Sequence, residues 1–351
     1  MKTQSILLDS FKLNNLLTLK NRIVMAPMTR LKADDHYVPT ASMAEYYARR
    51  ADAGLIVTEG TVIAPNGRGY NNVPGLFNEA QIEGWRHVTE AVHFNKGLIF
   101  AQIWHVGRVS HPSLQHGELP ISASETMMSG RIARTENLTF GQSRAATLAE
   151  IEELIQAYAN AATNAIKAGF DGIEIHGANG YLVDQFLHYD TNKRIDEYGG
   201  NSENMARFAI DIVKACGEAI GYERVGIRLS PAAYLNEITQ DRRDADVFAY
   251  LLSQLNYLPI AYVHTGNFND AVIYAELNNM TMSGFIRTHY KGFVIGCGSY
   301  TFEAAEHAVS SGEFDLIALG RPFIANPDLV SMLHAKEELR PYDVSLLQTL
   351  Y

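Results

Sequence analysis

The amino-acid sequence predicts a (β/α)8 TIM barrel with a small N-terminal hairpin and a long excursion after the third strand. Three observations carry that expectation. Short apolar runs alternate with stripes of helical period from residue 22 to residue 319, eight runs in all. Polar residues stand where several of those runs end, which is where such a barrel keeps its chemistry. No repeat and no linker interrupts the alternation, so the 351 residues read as one domain over 1–351, although length alone would also allow two.

Taken in order, residues 5–20 alternate apolar and polar around Lys12-Leu13-Asn14-Asn15 and predict the hairpin. Residues 22–26 form the first strand, running into Pro27-Met28-Thr29-Arg30. Met43, Tyr46, Tyr47 and Ala51 then share one helix face. The second strand spans 55–58 and ends at Glu59-Gly60, before a helix striped with Ile82, Trp85, Val88 and Val92. The third spans 98–104 and closes on Ala101-Gln102-Ile103-Trp104. Residues 105–147 break the pattern: polar, rich in Gly, Ser, His and Pro, they read as a lid or binding loop. His105, His111 and His116 there match no zinc spacing and read as solvated loop residues, metal binding being the alternative. Ile151, Leu154, Ile155, Tyr158, Ala162 and Ala165 mark a helix before the fourth strand, residues 173–175. Met205, Phe208, Ala209, Ile212, Val213, Cys216 and Ile220 mark the helix after it, capped by Asn201 or Ser202. Strands five to eight fall at 225–229, 260–264, 293–295 and 316–319. Val247, Leu251 and Leu255 mark one helix among them, and Phe302, Ala305 and Val309 another.

Composition narrows the function. Apolar residues make up 47% of the chain, ample for a large core. A net charge of −10 without a basic run argues against nucleic acid and against an anionic membrane surface. A phosphate-bearing ligand would therefore need a local positive spot. Two cysteines, Cys216 and Cys297, are too few for a disulfide framework or a four-thiolate metal or iron–sulfur site. Cys216 falls on an apolar helix face and reads as core. The first residues hold no apolar run long enough for a signal peptide, and no later segment approaches a membrane span. A soluble, cytoplasmic protein is the expectation.

The stretch from 170 to 208 organises the chain. Residues 173–175, bracketed by Gly172 and Gly177, read as a buried parallel strand. His176, Asn179 and Tyr181 follow at its end. An imidazole and a carboxamide three residues apart can aim N–H donors at one oxygen, and a nearby phenol can give up a proton. Singly each would be an ordinary structural residue; together, beside a glycine turn, they point to a site. Two more glycine turns, Gly296-Cys297-Gly298-Ser299 and Gly320-Arg321-Pro322, follow strands seven and eight, a frequent phosphate site in this fold. Arg321 supplies the cation that the acidic chain otherwise lacks. A dinucleotide fingerprint fails there, because Thr301 stands at the third glycine position and Asp315 precedes its strand. Thr29, Gly60, Gln102 and Arg228 stand at other strand ends and suit a flat heterocycle with several carbonyls and ring nitrogens.

These residues carry a resemblance to the Old Yellow Enzyme family of FMN-dependent ene-reductases, from about residue 5 to residue 332. The matching stretches are NRIVMAPMTR at 21–30, VTEG at 57–60, RGYNNVPG at 68–75 and AQIWHVGR at 101–108. IEIHGANGYLVDQFL at 173–187, NKRIDEYGGNSENMARF at 192–208 and GRPFIANPDL at 320–329 also match. The resemblance implies FMN held by Thr29 at the flavin O4, with backbone contacts from Pro27 and Met28. It implies Gly60 and Gln102 at the pyrimidine edge and Arg228 near N1 and O2. Gly298, Ser299, Gly320 and Arg321 would grip the phosphate. His176 and Asn179 would bind the substrate oxygen, Tyr181 would donate the proton, and Trp104 and Tyr70 would wall the pocket. The partner is a small electron-poor alkene, reduced with NADPH or NADH; a monomer and a homo-oligomer stay equally open. The tail, RPYDVSLLQTLY, departs from the family, which often brings an aromatic residue toward the flavin there.

Rival readings are a nitrate-ester or nitro-compound reductase on the same scaffold and a flavin-binding protein without turnover. The iron–sulfur dienoyl-CoA reductase branch is excluded by the two distant cysteines. An aldolase would want a lysine at a strand end, and none stands out.

Overall fold

Eight parallel strands pair in a closed circuit in the computed structural model, which describes residues 5–132, 135, 137–232 and 234–350. They are β1 Ile23–Met25, β2 Leu55–Val57, β3 Ile99–Trp104, β4 Gly172–Gly177, β5 Val225–Leu229, β6 Tyr262–Thr265, β7 Val294–Cys297 and β8 Leu316–Leu319. Each pairs with the next, and β8 returns to β1 with Ala318 opposite Val24. The chain is the (β/α)8 barrel its alternation predicts, and every strand overlaps its expected span.

Side chains alternate along a strand, so one set faces the barrel axis and the other the helices. Val24, Leu55, Val57, Phe100, Tyr262, Ile295, Leu316 and Ala318 form the inner set. Phe11, Leu13, Leu17 and Leu19 join the same cluster from the hairpin that pairs Phe11–Lys12 with Thr18–Leu19. The hairpin therefore plugs the N-terminal end of the barrel. Phe100 and Tyr262 stack across the axis with centroids 5.9 Å apart. Glycines make room for them: a Cβ at Gly172 would lie 2.5 Å from the Phe100 ring, and one at Gly226 2.4 Å from that of Tyr262.

The outward set, including Ile56, Ile103, Ile175, Ile227, Val263 and Ile317, packs against the helices. Burying each such aliphatic side chain is worth roughly 1.5–3 kcal/mol. The helices around the barrel include α1 Ala41–Ala48, α2 Glu79–Phe94, α3 Leu148–Lys167, α4 Leu182–Leu187, α5 Ser202–Ile220, α6 Asp244–Leu255, α7 Met282–His289 and α8 Phe302–Ser311, and two short ones, Arg321–Ala325 and Leu329–Ala335, follow β8. Thr147 and Glu150 form a reciprocal capping box on α3. Asn201, one of the two candidates, caps α5 by accepting from Asn204 N at 2.9 Å. Helices α4 and α7 have no counterpart in the sequence reading. Cys216 is fully buried on α5, as expected.

One expectation for residues 105–147 needs correction. His105 is not solvated: it is 1% exposed, its Nδ1 accepts from Gly107 N at 3.1 Å, and burial pushes it down to about 3. It continues directly from β3, so the strand carries it under the loop. His116 is exposed, as read, and His111 is half-buried. The excursion carries short pairings of its own. Ile121–Ser122 pairs with Arg144–Ala145, and bridges join Met127 to Gln142 and Arg131 to Thr139. The tail docks by its backbone: buried Arg30 donates Nη2 to Leu346 O (3.0 Å) and Thr349 O (2.6 Å). No described helix is long and apolar enough to cross a membrane.

Candidate functional site

Above the apolar filling, the inward positions turn polar. Gln102 of β3, Glu174 of β4, Arg228 of β5 and His264 of β6 are all buried at this level, and Cys297 of β7 is partly exposed. Glu174 anchors the layer. Its Oε1 accepts from Gln102 Nε2 and its Oε2 meets His264 Nδ1, each at 2.8 Å. Burial pushes the Glu174 carboxyl up, but His264 and Arg228 bring it below its ordinary value. Burial pulls His264 down, and Glu174 more than restores it. The two form a buried ion pair. Arg228 Nη2 points at Cys297 Sγ, 3.7 Å away, while Arg228 Nε and His264 Nε2 have no protein partner. The sequence reading found Gln102 and Arg228 but missed Glu174, His264 and Cys297. A usable signal was there: Glu174 and His176 share the inward period of an otherwise apolar strand.

The next residues up form the rim. The His176 imidazole lies parallel to the Trp104 indole at 5.7 Å, and the Tyr181 ring meets both edge-on, at 5.0 and 4.6 Å. Tyr70 also stacks on Trp104, at 6.1 Å, its hydroxyl 3.3 Å from that of Tyr181. A Cβ on Gly60 would lie 2.6 Å from the Trp104 ring, so the bare glycine seats the indole. Burial, and the charges of Arg228 and His264, hold His176 well below its usual range. It is a neutral donor near pH 7. Burial, with Tyr70, pushes the Tyr181 phenol well above 10, so it keeps its proton.

Asn179 sits in the left-handed region, φ +62°, in the turn between β4 and α4. Its Oδ1 accepts from Tyr234 OH at 2.9 Å, which leaves Nδ2 as the free end of the amide. Its backbone N donates to Ser230 Oγ at 2.9 Å and its carbonyl accepts from Asn236 Nδ2 at 2.7 Å. Asp184 accepts from Gly180 N and Ser230 Oγ, and His188 bridges Asp184 to Asp244. Burial opposes the His188 charge, but those two carboxylates raise it to about 10. None of these clamping residues was singled out in the sequence.

At the opposite end of the mouth, Gly298 (φ +145°) and Ser299 (φ +61°) turn the chain after β7. Arg321 Nη2 donates to Ser299 Oγ at 2.5 Å, and its guanidinium lies 5.0 Å from the Phe268 ring centroid. Asp270 braces this turn: its N donates to Gly298 O at 3.1 Å and its carboxylate accepts from Tyr300 OH at 2.6 Å. Pro27, Met28 and Thr29 are half-buried after β1, and a Cβ at Gly320 would lie 3.2 Å from Met28 Sδ. The residues expected to form the site thus follow the C-terminal ends of the barrel strands, with Tyr70 in the loop between β2 and α2.

The model of the NADH:flavin oxidoreductase / NADH oxidase family matches residues 7–340. The chain belongs to this family, the Old Yellow Enzymes. Flavin oxidoreductase hxnT of Emericella nidulans is 42% identical, over 93% of this chain and 90% of that one. A probable flavin mononucleotide-dependent alkene reductase of Leishmania infantum is 39% identical, over 94% and 91%. The solved Old Yellow Enzyme homologue from Zymomonas mobilis superposes with a TM-score of 0.91 at 39% identity, covering 98% of this chain and 96% of that one.

Old Yellow Enzymes are FMN-dependent oxidoreductases that draw on NAD(P)H, and the donor set of this mouth fits FMN. Arg228 Nε, His264 Nε2, His176 Nδ1 and Trp104 Nε1 are buried polar atoms with no protein partner. Such groups want an acceptor-rich ligand. Gln102, with its amide nitrogen committed to Glu174, keeps its carbonyl as an acceptor. The guanidinium of Arg321 and the glycine turn suit a single phosphate. One further residue shapes the loop after β1. Glu59, 1% exposed, accepts from Arg30 N (2.9 Å) and Leu31 N (3.0 Å) through Oε2. It thereby fixes the loop that carries Thr29, with Leu31 at φ +57°.

Proposed function

We propose that this enzyme reduces the C=C bond of α,β-unsaturated carbonyl or nitro compounds, with His176 and Asn179 holding the activating oxygen and Tyr181 supplying the proton. FMN, when bound, would supply the hydride chemistry, with NAD(P)H as its source. The chain's residues do the rest. His176, kept neutral by burial, donates without risk of losing its proton. Asn179 donates through Nδ2 because Tyr234 occupies its oxygen. Two fixed donors at one oxygen stabilise the enolate-like charge that develops there. Tyr181, hydrogen-bonded to Tyr70 and packed edge-on against His176, presents a phenol proton beside that oxygen site. Trp104 and Tyr70 form an apolar wall that keeps water from the reacting carbons. Thr29, Gly60, Gln102 and Arg228 would hold the flavin ring, and Gly298, Ser299, Gly320 and Arg321 its phosphate.

The juxtaposition of a neutral imidazole, an oriented amide and a phenol at one strand end supports this reading above any other feature. Separating the half-reactions tests it. Tyr181→Phe should leave flavin reduction by NAD(P)H nearly unchanged, since hydride transfer needs no acid. Enone reduction should slow by roughly 10² to 10⁴, the usual worth of a positioned general acid. Equal slowing of both halves in stopped-flow traces would assign Tyr181 to packing.

A further inference from the structure

Cys297 has no part in the roles assigned above, yet its surroundings are those of a nucleophile. It ends β7, next to the glycine turn that suits the phosphate, and is partly exposed while its neighbours are buried. The Arg228 guanidinium lies 3.7 Å from its sulfur. His264, fully buried with Nε2 lacking any protein partner, is oriented through Nδ1 by Glu174 at 2.8 Å. The thiol thus lies against a guanidinium and beside an imidazole that a buried carboxylate holds as a cation, surroundings that favour a reactive thiolate. We propose that Cys297 is a modification site for electrophilic alkenes, the protein's own substrate class, open in the flavin-free chain and covered once FMN is bound. The proposal rests on the functional reading above for both the substrate class and the place of the flavin.

The chemistry balances without any oxidant or reductant. The sulfur forms a bond to the alkene β carbon, the C=C π bond breaks, and its electron pair passes toward the activating oxygen. The proton released by the thiol is made good at the α carbon. Arg228 and His264 favour the thiolate that this addition needs. Burial alone pushes the thiol up, but those two cations bring it below its ordinary value, with Tyr234 and Tyr300 the other titratable groups beside it. Cys216 offers an internal contrast. It is fully buried on α5, and burial pushes its thiol far up.

The test treats the holoenzyme with N-ethylmaleimide at increasing free FMN and follows intact mass, mapped peptides and flavin content. Cys297 should be labelled and Cys216 spared. Labelling should slow roughly tenfold when free FMN reaches about ten times its dissociation constant, since only the flavin-free fraction reacts. Each labelled molecule should fail to rebind FMN, and Cys297→Ser should keep its flavin under the same treatment. A small enone in place of the maleimide should give the same adduct position. Labelling of Cys297 at a rate independent of FMN, or no labelling at low FMN, would overturn the proposal. A purified protein without flavin would instead overturn the functional reading on which it rests.

Discussion

At the scale of single residues, Asn179 depends on the groups that aim it. Asparagine is among the few residues that tolerate φ near +60°, which suits the turn between β4 and α4. An unrestrained amide could present either end to a ligand; the Tyr234 hydroxyl at 2.9 Å removes that freedom. Tyr234→Phe should therefore leave FMN in place but weaken ligands whose oxygen is meant for Nδ2. A lost hydrogen bond of roughly 0.5–1.5 kcal/mol predicts about two- to thirteenfold weaker binding of a para-substituted phenol, followed by its charge-transfer band with the flavin. An unchanged affinity would show that Asn179 orients itself. His176, Asn179 and Tyr181 were legible because polar groups at a strand end stand out in a barrel. Tyr234 was not, since nothing in a sequence reveals that a loop 55 residues further on returns to touch this amide.

At the scale of elements, the turn after β7 is built around what glycine lacks. A Cβ on Gly298 would fall 2.5 Å from the backbone N of Asp270, at a φ that L residues rarely adopt. Gly298→Ala should consequently lower both thermal stability and FMN retention, because the clash is with backbone and cannot be relieved by a rotamer. Arg321→Ala should act differently. Its side chain is exposed, so the fold should hold while flavin affinity drops by a charge-assisted contact, roughly 1.5–3 kcal/mol or about 10- to 150-fold. Dialysis followed by flavin fluorescence separates the two, and full occupancy in the Arg321 variant would remove that residue from the phosphate site. Glycine punctuation made this turn readable in advance. Helix α7 escaped notice because in MSGFIRTH the polar Ser283, Arg287 and Thr288 and Gly284 interrupt the stripe that Met282, Phe285 and Ile286 carry. His105 was misjudged because a polar residue opening a polar loop gives no sign that β3 carries it into the core.

At the scale of the whole molecule, the barrel keeps several ionisable groups away from water, and the sequence displayed their identity without their depth. Glu174 and His264, 90 residues apart, looked like isolated charges in apolar runs until the closed sheet made them partners. Glu59 is the case with the clearest consequence for stability. In the unfolded chain it titrates near its ordinary value of 4.5, and in the barrel at about 7. Burial is the largest cause, and the N–H groups of Arg30 and Leu31 oppose it without prevailing. Between those two values the folded protein keeps a proton that the unfolded chain has already released. Stability contributed by this group is thus intact below about 4.5, declines as pH rises, and is lost above about 7. Glu59→Gln is neutral throughout and can still accept from both backbone N–H groups. The wild type should therefore lose stability relative to the variant by an amount on the order of a few kcal/mol between pH of about 4.5 and 8. Urea unfolding midpoints of both proteins across that range measure the difference. A gap that stays constant with pH would mean that Glu59 is already ionised in the folded barrel, paired to its backbone donors as a carboxylate.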